Sequence, residues 1–313
     1  MNPEKWAVVT GGAGFIGSHL VEALLGQGRK VRVVDDLSTG CSANIPVGAE
    51  VLEGDVLENA EAAVRDADVI YHLAAIPSVP RSIAEPLESH RATAETTVAL
   101  LEAGERAHVR RLVLASSSAV YGDGPGLPRR EDQKCAPRSP YALAKLVSEL
   151  YAEHWASCRS LETVCLRFFN VYGPKQDPNS PYSAAIPIFL RRLLEGRPVP
   201  IFGDGAQTRD FIFVGDVVRG LLAAGTTPGV SGRIYNLATG NAVSVFQLVR
   251  TLARIVGTSA TMDFLPQRAG DIRDSWADVS AARRDLGFAP QTSLESGLLE
   301  TARWLQAAQV LQA

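Results

Sequence analysis

Ten residues near the start, Val8-Val9-Thr10-Gly11-Gly12-Ala13-Gly14-Phe15-Ile16-Gly17, constrain the fold more than any other stretch of this 313-residue chain. An apolar strand runs directly into spaced glycines and then into an amphipathic helix, a context that turns a weak pattern into a strong one. Gly11 can take a turn with φ > 0, Gly14 lets the backbone approach a pyrophosphate, and Gly17 lets helix pack closely on strand. The helix opening at Phe15 and Ile16 then offers free N–H groups and a partial positive charge to phosphates. A second apolar strand, Val31-Arg32-Val33-Val34, ends in Asp35-Asp36, 18 residues past Gly17. An acid at that point accepts from adenine-ribose hydroxyls and repels a 2′-phosphate, which favours NAD over NADP.

Apolar segments near 6–10, 30–35, 49–53, 68–74 and 111–116 alternate with helical stretches. That rhythm predicts the α/β class: a Rossmann-type, doubly wound parallel sheet with ligands at the carboxyl ends of its strands. Asp55-Val56 and Leu73-Ala74-Ala75 fall on that edge, where the small Ala74 and Ala75 either admit a cofactor or simply pack the strand end. After residue 165, Gly173, Pro174, Pro178, Pro181 and Pro187 mark long loops, which in compact enzymes are more often binding elements than linkers. The expected division is a dinucleotide-binding domain of residues 1–166 plus returning segments near 211–239. A smaller, interleaved α/β substrate-binding domain takes 167–210 and 240–313.

A net charge of −3 gives no general attraction to nucleic acid or to an anionic membrane. No basic-plus-apolar leader and no apolar run near 18 residues occurs, so a cytoplasmic protein is expected. Cys41, Cys135, Cys158 and Cys165 lack metal-ligand spacing, and no metal site is expected. His19 and His72 lie in apolar patterns, where a satisfied core imidazole is the expected role.

Tyr141-Ala142-Leu143-Ala144-Lys145 puts a phenol and an ammonium four residues apart on one helix face. Lowering a Tyr from ~10 to ~7 needs roughly 4 kcal/mol of preference for the phenolate. One unit charge at ~6 Å with an effective dielectric of ~20 supplies about 2.8 kcal/mol. Lys145 alone therefore falls short, whereas Lys145 with an oxidised nicotinamide ring can suffice. Ser116-Ser117-Ser118 ends the fifth strand, where Ser117 can bond both a substrate hydroxyl and Tyr141 as a proton conduit.

These motifs, together with Asp35-Asp36-Leu37-Ser38-Thr39-Gly40, Arg167 to Pro174 and Gly203 to Phe211, resemble the extended short-chain dehydrogenase/reductase superfamily. More narrowly, nearly the whole chain is similar to UDP-glucose and UDP-N-acetylglucosamine 4-epimerases. The glycine and Tyr-Lys motifs specify only the superfamily, while the later loops point to a nucleotide-sugar substrate. The resemblance implies bound NAD held by Gly11, Gly14, Phe15, Ile16, Gly17, Asp35, Asp36, Leu37, Ser38, Gly40, Asp55, Val56, Leu73, Ala74, Ala75, Tyr141 and Lys145. Thr93 stands where such enzymes commonly carry an Asn-rich turn, and is expected to replace one cofactor-side hydrogen bond.

The resemblance further implies that Asn170, Arg209 and Arg268 hold the UDP pyrophosphate, in keeping with the preference of a diphosphate for guanidinium forks. Ala184, Ala185, Phe189, Ile201 and Phe202 would line the uracil slot, though as plain core they would look no different. Ser78, Ser117, Tyr141, Asp271 and Ser275 complete the implied substrate contacts, with Ser275 as the wall beside the sugar's 2-substituent. Related 4,6-dehydratases carry an Asp-Glu pair where this chain has Ser118-Ala119, and UDP-glucuronate decarboxylases carry a Glu at the Ala119 position, so both chemistries are disfavoured. The expectation is an NAD-dependent 4-epimerase of UDP-hexoses, acting through a transient 4-keto sugar with Tyr141 as base, and a homodimer through its mid-chain helices. Alternatives are a UDP-glucuronate 4-epimerase, a 4-keto-sugar reductase, and a catalytically silent NAD-binding scaffold.

Overall fold

The computed structural model describes residues 4–124, 126–177, 185–267 and 272–310. Strand and helix alternate through the first half: β1 (Trp6–Thr10), α1 (Phe15–Gly26), β2 (Lys30–Asp35), β3 (Glu50–Glu53), α2 (Val56–Ala63) and β4 (Ala67–His72). Three helical pieces follow, α3 (Val79–Ala84), α4 (Pro86–His90) and α5 (Thr96–Arg106), then β5 (Arg111–Ser117), α6 (Pro140–Cys158) and β6 (Glu162–Phe168). The later chain forms β7 (Asn170–Tyr172), α7 (Ala185–Leu194), β8 (Val199–Phe202), β9 (Thr208–Arg209), β10 (Phe211–Phe213), α8 (Val214–Thr226) and β11 (Arg233–Leu237). It ends with β12 (Val243–Ser244), α9 (Val245–Val256), β13 (Met262–Leu265), β14 (Asp274–Ser275), α10 (Ser280–Leu286) and α11 (Leu294–Val310).

The main sheet has seven parallel strands in the order β11-β6-β5-β4-β1-β2-β3. Strands covered on both faces must be apolar throughout, and β1, β2 and β4 are buried along nearly their whole length. Leu20 and Leu24 of α1, with Val217 and Leu221 of α8, cover one face. Leu100 and Leu101 of α5, with Ala152 and Trp155 of α6, cover the other. The chain leaves β1 for β2 on one side and reaches β4 on the other, so a crevice opens between the carboxyl ends of β1 and β4.

A separate apolar core joins α7, α9 and α11 to β7, β8 and β10 through Ile186, Phe189, Leu190, Ile201, Leu248, Leu252 and Leu298. Three short strands, β12-β9-β14, form a small sheet beside it. Between α4 and α5, residues Arg91–Glu95 form one π-helical turn.

Helix α6 starts where it does because Ser139 accepts from the Ala142 N–H at 3.2 Å and Pro140 occupies the first turn. Trp155 of α6 belongs to the core. Leu143 and Leu150 do project outward, at 53% and 58% exposure.

Candidate active site

The crevice begins at the turn after β1. Gly11 has φ +71°, and a Cβ on it would meet the Ala74 backbone N at 2.8 Å. A Cβ on Gly17 would stand 2.0 Å from the Gly11 carbonyl oxygen, so only glycine lets α1 start this close to the turn. Gly14 caps α1 without a side-chain acceptor, and the first turn, with Phe15 and Ile16, contains no acid. A helix N-terminus left this way suits a phosphate group.

Asp35 closes β2 and ties the neighbouring loops together: its Oδ2 accepts from Ala13 N at 2.8 Å and its Oδ1 from Leu37 N at 2.9 Å. Burial raises the Asp35 carboxyl above its ordinary range, against these two N–H donors. Leu37 takes φ +58°, and Ser38 donates to Asp36 Oδ1 through both its N–H and hydroxyl. Gly40 lies so close to Ala13 and Asp35 that no side chain fits there. Asp55 Oδ1 caps α2 through Leu57 N at 2.8 Å, beside the buried Val56. The Leu73 and Ala74 N–H groups bond the Thr10 carbonyl and hydroxyl, which fixes the strand-end backbone that continues into Ala75.

His72 is the satisfied core imidazole expected of it, bonded to Thr10 Oγ1 at 2.8 Å and Thr97 Oγ1 at 3.1 Å. Burial and the nearby Lys145 charge hold it neutral, with its pKa lowered to about 3. Thr93 sits in the π turn; its carbonyl accepts from Thr96, Thr97 and Ser148 hydroxyls. Its own Oγ1 is buried and has no partner among the described residues. The uncapped α1 terminus, the glycine cradle and this unpaired hydroxyl fit a dinucleotide laid across the strand ends.

Tyr141, Lys145 and Ser117 converge at the same edge. Lys145 Nζ is buried and donates to the Ala115 carbonyl at 2.7 Å. Ser117 Oγ accepts from Ala119 N at 3.2 Å, and its hydroxyl, near the Tyr141 phenol, favours the phenolate. Burial nevertheless pushes Tyr141 above its ordinary value, and Lys145 itself is lowered to about 8.

Asn170 opens β7, and its N–H bonds the Asp210 carbonyl at 3.0 Å. Arg209 lies opposite Ser275 across the β9–β14 pairing, with its Nη1 donating to the Thr208 and Arg273 carbonyls. Asp210 was not singled out by sequence reasoning, yet it is fully buried and takes four donors: Thr239 N and Oγ1, Gly240 N and Ala277 N. It fastens the strand carrying Arg209 to the segment following Ser275. A cavity of about 210 Å³ opens nearby, lined by Phe202, Gly203, Asp204, Gln207, Gln267, Ile272 and Arg273.

Of the four described residues among those expected at a uracil slot, Phe202 alone faces this cavity. Phe189 and Ile201 are buried in the second core, where helix and strand turn their apolar faces to each other. Ala185 begins α7 against that same core, and Ser78 is spent capping α3 through Arg81 N at 3.1 Å. Ala184, Arg268 and Asp271 lie outside the described residues. The polar lining by Asp204, Gln207 and Arg273 was missed; the charged and amide side chains packed between Gly203 and Arg209 were its only sequence signal.

The chain matches the NAD dependent epimerase/dehydratase family over residues 7–238. It is 40% identical over 311 residues to a UDP-glucose 4-epimerase of Mycolicibacterium smegmatis, covering 96% of this chain and 98% of that one. Among solved structures, the Thermotoga maritima UDP-glucose 4-epimerase with UDP-glucose superposes with a TM-score of 0.94 at 36% identity, over 97% of this chain and 99% of its own. A UDP-N-acetylglucosamine 4-epimerase from Methanobrevibacter ruminantium, in complex with UDP-N-acetylmuramic acid, gives 0.93 at 35% identity, over 97% and 99%.

Proposed function

We propose that this chain, which belongs to the NAD-dependent epimerase/dehydratase family of extended short-chain dehydrogenases/reductases, is a 4-epimerase of UDP-hexoses that also accepts their N-acetylated forms. The observation that carries the reading is the gathering of Ser117, Tyr141 and Lys145 at the carboxyl end of β5, with Ser118-Ala119 beside them instead of two acids. Its cofactor is NAD, which when bound supplies reversible hydride exchange at C4 of the sugar.

Tyr141 takes the proton of the 4-hydroxyl on its phenolate oxygen, with Ser117 bonding both oxygens. Lys145 stabilises that phenolate from the next helical turn. The 4-keto sugar, held through its diphosphate by Asn170 and Arg209, turns over and recovers its proton from Tyr141. The cycle consumes neither oxidant nor reductant. Ser275, on the rung shared with Arg209, walls the space beside the sugar's 2-substituent, and a Ser there leaves room for an acetamido group. One relative is named a UDP-glucose 4-epimerase and another a UDP-N-acetylglucosamine 4-epimerase, which supports the broader range. Two chains are proposed to pair through α6 and the helical run ahead of it, where Leu87, Leu143, Leu150 and Tyr151 are exposed.

The purified protein is to be incubated with UDP-glucose, UDP-N-acetylglucosamine and UDP-glucuronate, without added reductant, and its products separated. Interconversion of the first two with their 4-epimers is expected. Stoichiometric consumption of NADPH would refute the epimerase reading, and turnover of UDP-glucuronate alone would reassign the substrate.

A further inference from the structure

We propose that Glu149 is a positioning residue for the Tyr141–Lys145 pair, acting through Ser116; this rests on the reading of Tyr141 and Lys145 as the reacting pair. Three consecutive residues at the carboxyl end of β5 are each tied to a different turn of α6. The Ala115 carbonyl accepts from Lys145 Nζ, Ser116 Oγ donates to the Glu149 carboxylate, and the Ser117 hydroxyl lies near the Tyr141 phenol. Tyr141, Lys145 and Glu149 succeed one another at four-residue steps, so they share one face of the helix. The Ser116 link lies between the other two on the strand, and it sets how far β5 can slide against α6.

Glu149 is held from a third direction. It is 1% exposed, and Arg167 of β6 grips it with Nε at 2.9 Å from Oε1 and Nη2 at 2.7 Å from Oε2. The guanidinium is itself fixed over the Tyr121 ring at 4.7 Å and by the Glu131 carbonyl at 3.3 Å. The carboxylate therefore has one available orientation. Buried ion pairs contribute little net stability relative to apolar replacements, so a pair kept directly behind reacting groups suggests a task other than folding.

The charge has a second effect on the same site. Lys145 faces Glu149 on its own helix, His72 from β4 and the Ala115 carbonyl from β5, with Arg167 of β6 behind Glu149 and Tyr141 one helical turn before it. Burial pulls the Lys145 ammonium down, His72 is neutral, and Glu149 opposes the fall. One carboxylate thus fixes the strand that seats Tyr141 and keeps its helical neighbour charged.

The chain contains five lysines, so Lys145 can be titrated by NMR in protein carrying ¹³C-labelled lysine side chains, with Lys145→Met identifying its signal. Glu149→Gln should lower the Lys145 midpoint by about one pH unit, since it removes the favourable charge and leaves Arg167 unpaired. In the NAD-loaded enzyme kcat should fall about tenfold or more with KM changed less than about twofold, and the alkaline limb of activity should move to lower pH. Ser116→Ala, which keeps both charges, should lower kcat while leaving the Lys145 midpoint in place. A merely structural Glu149 would reduce the folded fraction without moving that midpoint. An unchanged midpoint in Glu149→Gln, or wild-type kcat in Ser116→Ala, overturns the proposal. If Glu149→Gln does not fold, the double variant with Arg167→Met removes the stranded cation and carries the same midpoint measurement. A wild-type protein inactive on every UDP-sugar would refute the proposed function, while the Lys145 titration would still decide the role of Glu149.

Discussion

Arg209 and Ser275 occupy one rung of a two-residue parallel pairing, so the guanidinium assigned to the diphosphate and the residue assigned to the sugar wall stand side by side. Asp274, on the preceding rung, accepts from Thr208 Oγ1 at 2.7 Å and locks that register. The proposed sugar wall is therefore set by the same strand pair as the arginine proposed to hold the diphosphate.

Ser275→Tyr should abolish turnover of UDP-N-acetylglucosamine and spare UDP-glucose. A phenol added to a packed wall overlaps the acetamido group, and the register locked at Asp274 leaves no slide to relieve it. Comparing kcat/KM for the two sugars checks this. Equal loss of both activities, or retention of both, removes Ser275 as the gate.

Tyr141→Phe should lower kcat by about 10²–10⁴ while NAD and UDP-sugar binding stay near wild type, because it deletes the proton acceptor and little volume. Lys145→Ala should lower activity and also weaken NAD retention, measured by cofactor loss on gel filtration. Tyr141→Phe with wild-type turnover would exclude the phenol as the base.

Light scattering at micromolar concentration should give the mass of a dimer. Leu87 is 77% exposed and Ile83 63%, on the helices α4 and α3 that pack against α6. Leu143→Asp combined with Leu150→Asp should yield monomers, since two carboxylates cannot be buried in an apolar contact. A monomeric wild type contradicts this assembly.

Stability should decline on acidification through His72. The unfolded chain takes up a proton below about 6.5, whereas the folded imidazole refuses it down to about 3. Folding free energy is thus lost as pH falls through this window, by up to about 1.4 kcal/mol per unit. Urea unfolding of wild type and His72→Gln between pH 4 and 7 isolates the effect. Equal slopes for the two proteins would show that His72 does not titrate this way.

Residues whose role depends on local backbone are legible in the sequence. The glycine turn, the acid ending β2, the Tyr-Lys spacing and the strand rhythm are each written in a few adjacent positions. Phe189 and Ile201 are not separable from pocket residues on that basis, because an apolar side chain reads alike in a core and in a binding slot. Asp210 is invisible there for a different reason: its four donors come from residues 239, 240 and 277, brought near only by the folded chain. Glu149 leaves one trace, an acid four residues past Lys145 on a helix face that has to be buried.

The π turn at Arg91–Glu95 imposes a counting rule on this chain. Such a turn holds one residue more than regular helix would use for the same advance, so everything after it is rotated relative to α4. A helical-wheel count that treats residues 86–106 as uniform α-helix is off by one residue beyond the turn. Thr93 sits inside the irregularity itself. What looks like an exchanged amino acid at this position is therefore also a matter of phase: deleting a single neighbour would restore an even helix and swing that hydroxyl out of register with the crevice.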